Sequence, residues 1–214
     1  MVTVTNRFKL ALTKPGKERP VLDLVGSSAE AIADIVMKDD LFSAVPVFSS
    51  ALKILKVGDS YRDRMFAAKL LAFISEVETM TQDQRQATAY KLTKDDEGKK
   101  AAETLLLILD KLNDMDKPAL LGFLLRKFGE GRITSVELRR LTCAIDTAFA
   151  DDLSAFFDES VEQVDKAKND LHREPLVASG LTRMLTGDTI DDAGMIYFRP
   201  TELGELLQRL VNSQ

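Results

Sequence analysis

Apolar residues recur at helical spacing along most of the chain. The clearest case is the segment "YRDRMFAAKLLAFISEV", in which Phe66, Leu70, Phe73 and Val77 follow one another at steps of three and four residues. This spacing places apolar side chains on one face of an α-helix and indicates that the face is buried. Similar segments, joined by short connections, predict a bundle of about seven to eight helices in which sequence neighbours are neighbours in space.

Several of these helices have a recognisable start signal. Thr81 is placed to cap a helix, and Gln84 stands three residues later, as a capping box requires. Asp116 is predicted to cap the helix that contains "KPALLGFLLRKFG". Either Thr134 or Ser135 is predicted to cap the helix that follows the glycine-containing turn.

The C-terminal tail has a different pattern. Short β-like runs, "LTRML" and "MIYF", flank the polar segment "TGDTIDDAG", and Pro200 and Thr201 then precede an amphipathic helix. The fold prediction is therefore mainly α, with a helical bundle and a small C-terminal β-hairpin. We divide the chain into an extended basic segment at residues 1–20, a helical domain at 21–174, and a C-terminal subdomain at 175–214.

The order of elements in the tail, a helix ending in "GL" and then strand, loop, strand and helix, resembles the end of bacterial winged-helix domains. The matching residues are Leu176, Gly180, Leu181, Tyr197, Thr201 and Gly204. The resemblance implies a winged-helix-like subdomain and makes DNA binding an alternative function. The loop, however, carries Asp188, Asp191 and Asp192 and no basic residue, and the preceding segment offers only His172 and Arg173. Acidic side chains facing phosphates weaken DNA binding, so the tail is expected to pack or to contact protein.

Composition narrows the class of protein. Hydrophobic residues make up 45% of the chain and charged residues 29%, with a net charge of −5, the profile of an ordinary globular protein. An acidic balance argues against a general nucleic-acid footprint. The single cysteine excludes an intramolecular disulfide, and the polar N-terminal segment does not resemble a secretory signal. We expect a cytoplasmic location, with contact to the inner membrane as an alternative.

No set of residues indicates catalysis or a cofactor. One histidine and one cysteine cannot form a familiar zinc site, and no glycine-rich phosphate loop occurs. The segment "RKFGEGRITSVE" places Gly131 and Glu137 as an EF-hand loop would, but Arg126 and Phe128 occupy positions that need oxygen ligands. We therefore expect no metal, no cofactor and no catalytic residue.

Two sets of residues are candidates for an interaction surface. The most apolar stretch, residues 41–57, is predicted to be either a core helix or a helix that docks on a membrane or a partner, with the candidates Phe48, Leu52 and Leu55. The second set is basic and forms either a patch or an ordinary solvated surface: Arg62, Arg64, Arg126, Lys127 and Arg132.

A further set of residues forms a pattern that is found in a known family: Pro46, Gly58, Arg62, Asp63, Arg64, Phe66, Lys69, Lys117 and Ile133. Through these residues, part of the chain resembles the abortive-infection alpha type of helical bacterial proteins. The resemblance implies a phage-defence or prophage context and proximity to a membrane, and it implies no reaction. The sequence thus favours a non-enzymatic protein-interaction module that binds a protein partner, including a second copy of itself. A DNA-binding regulator and a membrane-peripheral effector are the alternatives.

Overall fold

The computed structural model describes residues 40–55, 60–158, 172–187 and 194–213, with side chains for all of them except 52–55. Within these ranges lie nine α-helices and one two-stranded antiparallel sheet. The prediction of a mainly α fold with a C-terminal hairpin is confirmed. The elements are α1 (Asp40–Ala44), α2 (Pro46–Leu55), α3 (Tyr61–Val77), α4 (Gln82–Thr93), α5 (Asp96–Lys111), α6 (Lys117–Gly129), α7 (Ser135–Thr147), α8 (Ala150–Asp158), a 3₁₀ turn (Pro175–Val177), β1 (Thr182–Thr186), β2 (Ile196–Pro200) and α9 (Glu202–Asn212).

Local capping signals start the helices at the predicted positions. Thr81 Oγ1 accepts from the Gln84 main-chain N–H at 3.3 Å, and Gln84 Oε1 accepts from the Thr81 N–H at 2.9 Å. Thr134, not Ser135, caps α7, because its Oγ1 accepts from the Glu137 N–H at 3.2 Å. The Glu137 carboxylate accepts in return from the Thr134 N–H at 2.8 Å. Asp116 precedes α6 as predicted, but its side chain makes no capping hydrogen bond.

The apolar stretch that begins at Leu41 contains a short helix, α1, which the sequence pattern did not separate from the helix that begins at Pro46. Phe42 and Phe48 are buried, and their ring centroids lie 5.3 Å apart. Both rings also lie near Phe73 of α3, at 5.9 and 6.4 Å. Tilted and edge-on aromatic contacts of this kind stabilise a core beyond the area that they bury. The N-terminal half of the stretch is therefore core.

The chain divides into two compact units, and the boundary falls between Thr142 and Cys143, within α7. In the first unit, α3 and α6 pack more extensively than any other pair of described helices. Gly122 of α6 makes this possible, because a β-carbon at that position would meet the main-chain carbonyl oxygen of Phe73. Absence of a side chain lets the two helix backbones approach closely.

The second unit joins α8 to the tail. The Gln208 side-chain amide donates to the Phe156 carbonyl at 2.8 Å, and Gly204 of α9 lies against the main-chain carbonyl of Leu181. These contacts place α8 with the hairpin and α9. The boundary between the two units therefore differs from the boundary near residue 174 that the change of sequence pattern predicts. The helical periodicity of α8 is a local feature and carries no information on which unit it packs against.

The segment before the hairpin also differs from its prediction. Instead of a helix ending in "GL", it contains the 3₁₀ turn, and Gly180 then adopts a φ of +75°. Arg173 is 2% exposed, and its Nη1 donates to the Phe198 carbonyl of β2 at 3.1 Å. The Thr182 hydroxyl donates to the Arg173 carbonyl at 2.6 Å. Arg173, considered above as a DNA-contacting residue, is thus part of the interior.

We expect the substitution Gly122→Ala to destabilise the protein. Alanine in place of glycine inside a helix ordinarily raises the free energy of unfolding by about 1 kcal/mol. Here the added methyl group would push α3 away from α6, so we expect a decrease of about 1–3 kcal/mol. Urea unfolding followed by circular dichroism measures the change, and an increase in stability would contradict the close packing of α3 and α6.

Candidate functional site

A groove in the first unit lies between α2, α3 and α5. Its volume is about 340 Å³, at the lower end of the range found for ligand pockets, about 300–1,000 Å³. Both apolar and charged side chains line it: Ala51, Arg62, Asp63, Phe66, Leu106, Leu107 and Asp110. We call this the Leu107 groove.

Helical spacing explains how two of the helices supply the lining. Arg62 and Phe66 are four residues apart and therefore share one face of α3. On α5, the unbroken apolar run from Leu105 to Leu109 is wider than a single buried face. Leu105 and Leu109 enter the core, whereas Leu107 is 70% exposed. The apolar run, which is too wide for a single buried face, thus supplies the exposed wall of the groove.

Charged groups define one end of the groove. Arg62 Nη2 donates to Asp110 Oδ2 at 3.0 Å. Both side chains are exposed to solvent, so the pair contributes little to stability, about 0.2–1 kcal/mol. Beneath it, the buried Lys69 ammonium donates to the Asp110 carbonyl at 2.6 Å. Lys69 therefore binds the C-terminal end of α5, where main-chain carbonyls lack partners within the helix.

Two pKa values at this site are shifted. Burial lowers the pKa of Lys69; the charge of Asp110 opposes this shift, and that of Arg62 adds to it. Hydrogen bonds from the side chain and main chain of Ser60 lower the pKa of Asp63. Asp63 closes the capping box of α3, in which Ser60 Oγ lies 2.6 Å from Asp63 Oδ2. Asp63 is therefore held as a carboxylate at the rim of the groove.

The Leu107 groove combines ionisable groups that already have partners with an apolar wall. The ionisable groups that line the groove are already hydrogen-bonded to each other or to the main chain. Within the described residues, no group of three or more His, Cys, Asp and Glu side chains could hold a metal ion. An apolar wall beside an exposed ion pair instead accommodates an apolar group flanked by a polar or charged one.

One candidate from the apolar stretch is buried. Phe48 is 2% exposed and belongs to the aromatic core, so it cannot serve as an accessible contact. Leu52 and Leu55 lie in α2, and their side chains are outside the described residues. None of the helices in the described ranges is both long and apolar enough to cross a lipid bilayer.

The basic candidates do not form one patch. Arg126 lies 3.0 Å from Glu130 and 3.7 Å from Glu76, and its guanidinium is 5.2 Å from the ring centroid of Phe123. Lys127 is buried, binds Glu130 at 3.0 Å and contacts the same ring. Ion pairs with carboxylates and contacts with an aromatic face thus already engage both residues at the end of α6. Of the remaining three, Arg62 belongs to the Leu107 groove, and Arg64 and Arg132 are exposed.

Two arrangements are not predicted from the sequence, because each depends on how distant segments pack: α5 against α3, and β1 against β2. The first is the wall formed by Leu107 and Asp110, for which the only signal was the excess of apolar residues in α5. The second is the direct pairing of Arg183 with Arg199 across the hairpin, both of them exposed. Helical periodicity cannot reveal such a pair, because it requires the register of the two strands.

Comparison of the chain with protein-family models, curated proteins and solved structures found no match. The resemblance to abortive-infection alpha-type proteins and to winged-helix domains therefore stays a sequence-based prediction.

We expect Lys69 to make the stability of the protein depend on alkaline pH. Its pKa is lower in the folded chain than the ordinary 10.5, so the unfolded chain binds more protons between these two values. The free energy of unfolding should therefore rise with pH in this window, by at most about 1.4 kcal/mol per pH unit. Lys69→Met should remove this rise, as measured by urea unfolding at several pH values from neutral to about 10.5.

The control for this experiment is Lys100→Met, which removes an exposed ammonium from α5 and leaves Lys69 buried. If the two variants depend on pH in the same way, Lys69 is not the group responsible.

Proposed function

We propose that this protein is a non-enzymatic protein-interaction module that binds an apolar side chain of a partner protein in the Leu107 groove. The observation that carries the proposal is the 70% exposure of Leu107 beside the apolar side chains of Phe66 and Leu106. Covering a leucine side chain fully stabilises an assembly by about 1.5–3 kcal/mol. An exposed leucine at the wall of a groove is therefore a favourable anchor point for a partner.

The open form of the groove favours a protein over a small molecule. Small-molecule sites usually enclose most of the ligand surface, whereas Leu107 and Arg62 project from the wall into solvent. A segment of a partner protein would fill the groove with one side chain and cover Leu107 with its neighbours, as helix-in-groove complexes do.

The charge of the lining indicates the chemistry of the partner. One cation, Arg62, faces two carboxylates, Asp63 and Asp110, so the lining carries a net charge of −1. Outside the lining, Glu103, which is exposed one helical turn before Leu107 on α5, and the buried Lys69 beneath Asp110 add one charge of each sign. We therefore propose a partner segment with an apolar anchor flanked by lysine or arginine. The setting that we propose, conflict between bacteria and phages, is supported by the sequence resemblance alone.

Selection from a random peptide library displayed on phage tests the groove with a defined probe. We expect selected peptides to share an apolar residue next to a basic one. Leu107→Asp should weaken their binding at least tenfold, because it places a charge in the apolar wall. Fluorescence anisotropy with the synthetic peptides measures this change, and thermal unfolding verifies that the variant is folded.

Tyr90→Asp is the matched control, because Tyr90 is a large apolar residue on α4 that is 67% exposed and lies outside the groove lining. It should leave peptide binding unchanged. The proposal fails if no peptides are enriched, or if the enriched peptides bind wild type and Leu107→Asp equally.

A second candidate function, nucleic-acid binding by the tail, is supported by the pairing of Arg183 with Arg199. The two exposed guanidinium groups belong to directly opposite residues of the hairpin, and a phosphate is able to accept hydrogen bonds from both. The acidic residues of the connecting loop act in the opposite direction, so we rank this function second.

A gel-shift assay with random-sequence duplex DNA at low salt tests the second candidate. If the hairpin binds phosphates, the double substitution Arg183→Ala and Arg199→Ala should abolish the shift or weaken it severalfold, because both contacts are lost. The control is the double substitution Arg132→Ala and Arg140→Ala. It removes two exposed arginines from the first unit and makes the same change in net charge. Equal losses in the two double variants, or no shift with wild type, would eliminate the hairpin as a DNA-binding site.

A further inference from the structure

The main-chain groups of the hairpin have a defined orientation. The hydrogen bonds from Gly187 N–H to the Met195 carbonyl and from Thr201 N–H to the Leu181 carbonyl, each 2.9 Å, flank the paired strands. Alternation along an antiparallel ladder then makes Arg183 and Leu185 face β2 with their N–H and C=O groups. The corresponding groups of Thr182, Met184 and Thr186 point away from β2, along the outer edge of β1.

The two outer edges of the hairpin differ. On β2, the Phe198 carbonyl accepts a hydrogen bond from the buried Arg173 guanidinium, which closes that edge at Phe198. On β1, no hydrogen bond from any residue that the structure describes reaches the main chain of Met184 or Thr186. Met184 is 56% exposed, and Ile196, which is diagonal to it on the same face, is 45% exposed. An open edge with apolar side chains is a template for another strand.

We propose that β1 pairs antiparallel with β1 of a second copy of this chain, with Leu185 opposite Leu185 of that copy. This register joins Met184 of each copy to Thr186 of the other and forms four main-chain hydrogen bonds around a two-fold axis. It avoids Thr182, whose burial closes the other end of the edge. The result is a four-stranded sheet, a more stable unit than an isolated two-stranded hairpin. This inference does not depend on the Leu107 groove.

Charge favours a second copy in this register. Arg183 lies opposite Gly187 of the second copy, so no side chain crowds the guanidinium and no arginine faces it across the new pairing. A parallel pairing in register would instead align the two Arg183 side chains, which is unfavourable.

Disulfide trapping tests the pairing. In a background of Cys143→Ser, which removes the exposed native cysteine, we expect Leu185→Cys to form a covalent dimer on mild oxidation with copper phenanthroline. Directly opposite residues of a non-hydrogen-bonded pair have α-carbons about 4.5 Å apart, within the range that a disulfide spans. The yield should rise with protein concentration, because such a small contact gives a weak dimer.

Arg183→Cys in the same background is the matched control. Its partner in the second copy lies four residues away along the strand, about 13 Å, so we expect no dimer. Adding Met184→Pro to Leu185→Cys removes an outward N–H without removing a hydrogen bond between β1 and β2, and it should abolish trapping while circular dichroism stays unchanged. Three outcomes would overturn the proposal. The first is a dimer trapped at position 183, and the second is equal trapping at both positions. The third is trapping at neither position, together with a wild-type protein that sediments as a monomer at high concentration.

Discussion

The close approach of α3 and α6 is the contact on which the first unit depends. Gly122 lies against the Phe73 carbonyl, so α6 lies directly against the backbone of α3. Phe73 meanwhile joins the aromatic cluster with Phe42 and Phe48, which attaches α1 and α2 to the same helix. With α3 held on two sides, the side chains near its N-terminus are left to face α5. The Leu107 groove thus results from how α3 is fixed in the core.

Hydrogen bonds to main-chain carbonyls also determine which basic side chains remain available for binding. Lys69 donates to the Asp110 carbonyl at the end of α5, and Lys91 donates to the Phe128 and Gly129 carbonyls at the end of α6, both at 3.3 Å. Each lysine satisfies carbonyls that a neighbouring helix cannot satisfy itself, and a cation is favourable at that end of the helix dipole. A count of positive charges in the sequence therefore overstates the cationic surface of the protein.

How far the sequence predicts the structure depends on the range of each interaction. The capping boxes at Thr81 and Thr134 involve residues three positions apart, and they were predictable because the signal and the contact lie in the same short segment. The ion pair between Arg62 and Asp110 joins residues 48 positions apart and needs the packing of α3 against α5. The apolar run from Leu105 to Leu109 predicts a helix that buries more than one face, whereas the structure leaves Leu107 70% exposed. Periodicity could not indicate that Leu107, rather than a neighbouring leucine, would remain outside.

Burial of Arg173 has a consequence for the way in which the tail folds. A two-stranded hairpin is marginal alone, and a guanidinium is costly to bury without acceptors. The Phe198 carbonyl of β2 supplies an acceptor for that side chain, and the Arg173 carbonyl in turn binds the Thr182 hydroxyl of β1. Neither the turn around Arg173 nor the hairpin is complete without the other, although 25 positions separate Arg173 from Phe198. We therefore expect the two segments to fold together, because a single residue links the formation of a turn to the pairing of two strands.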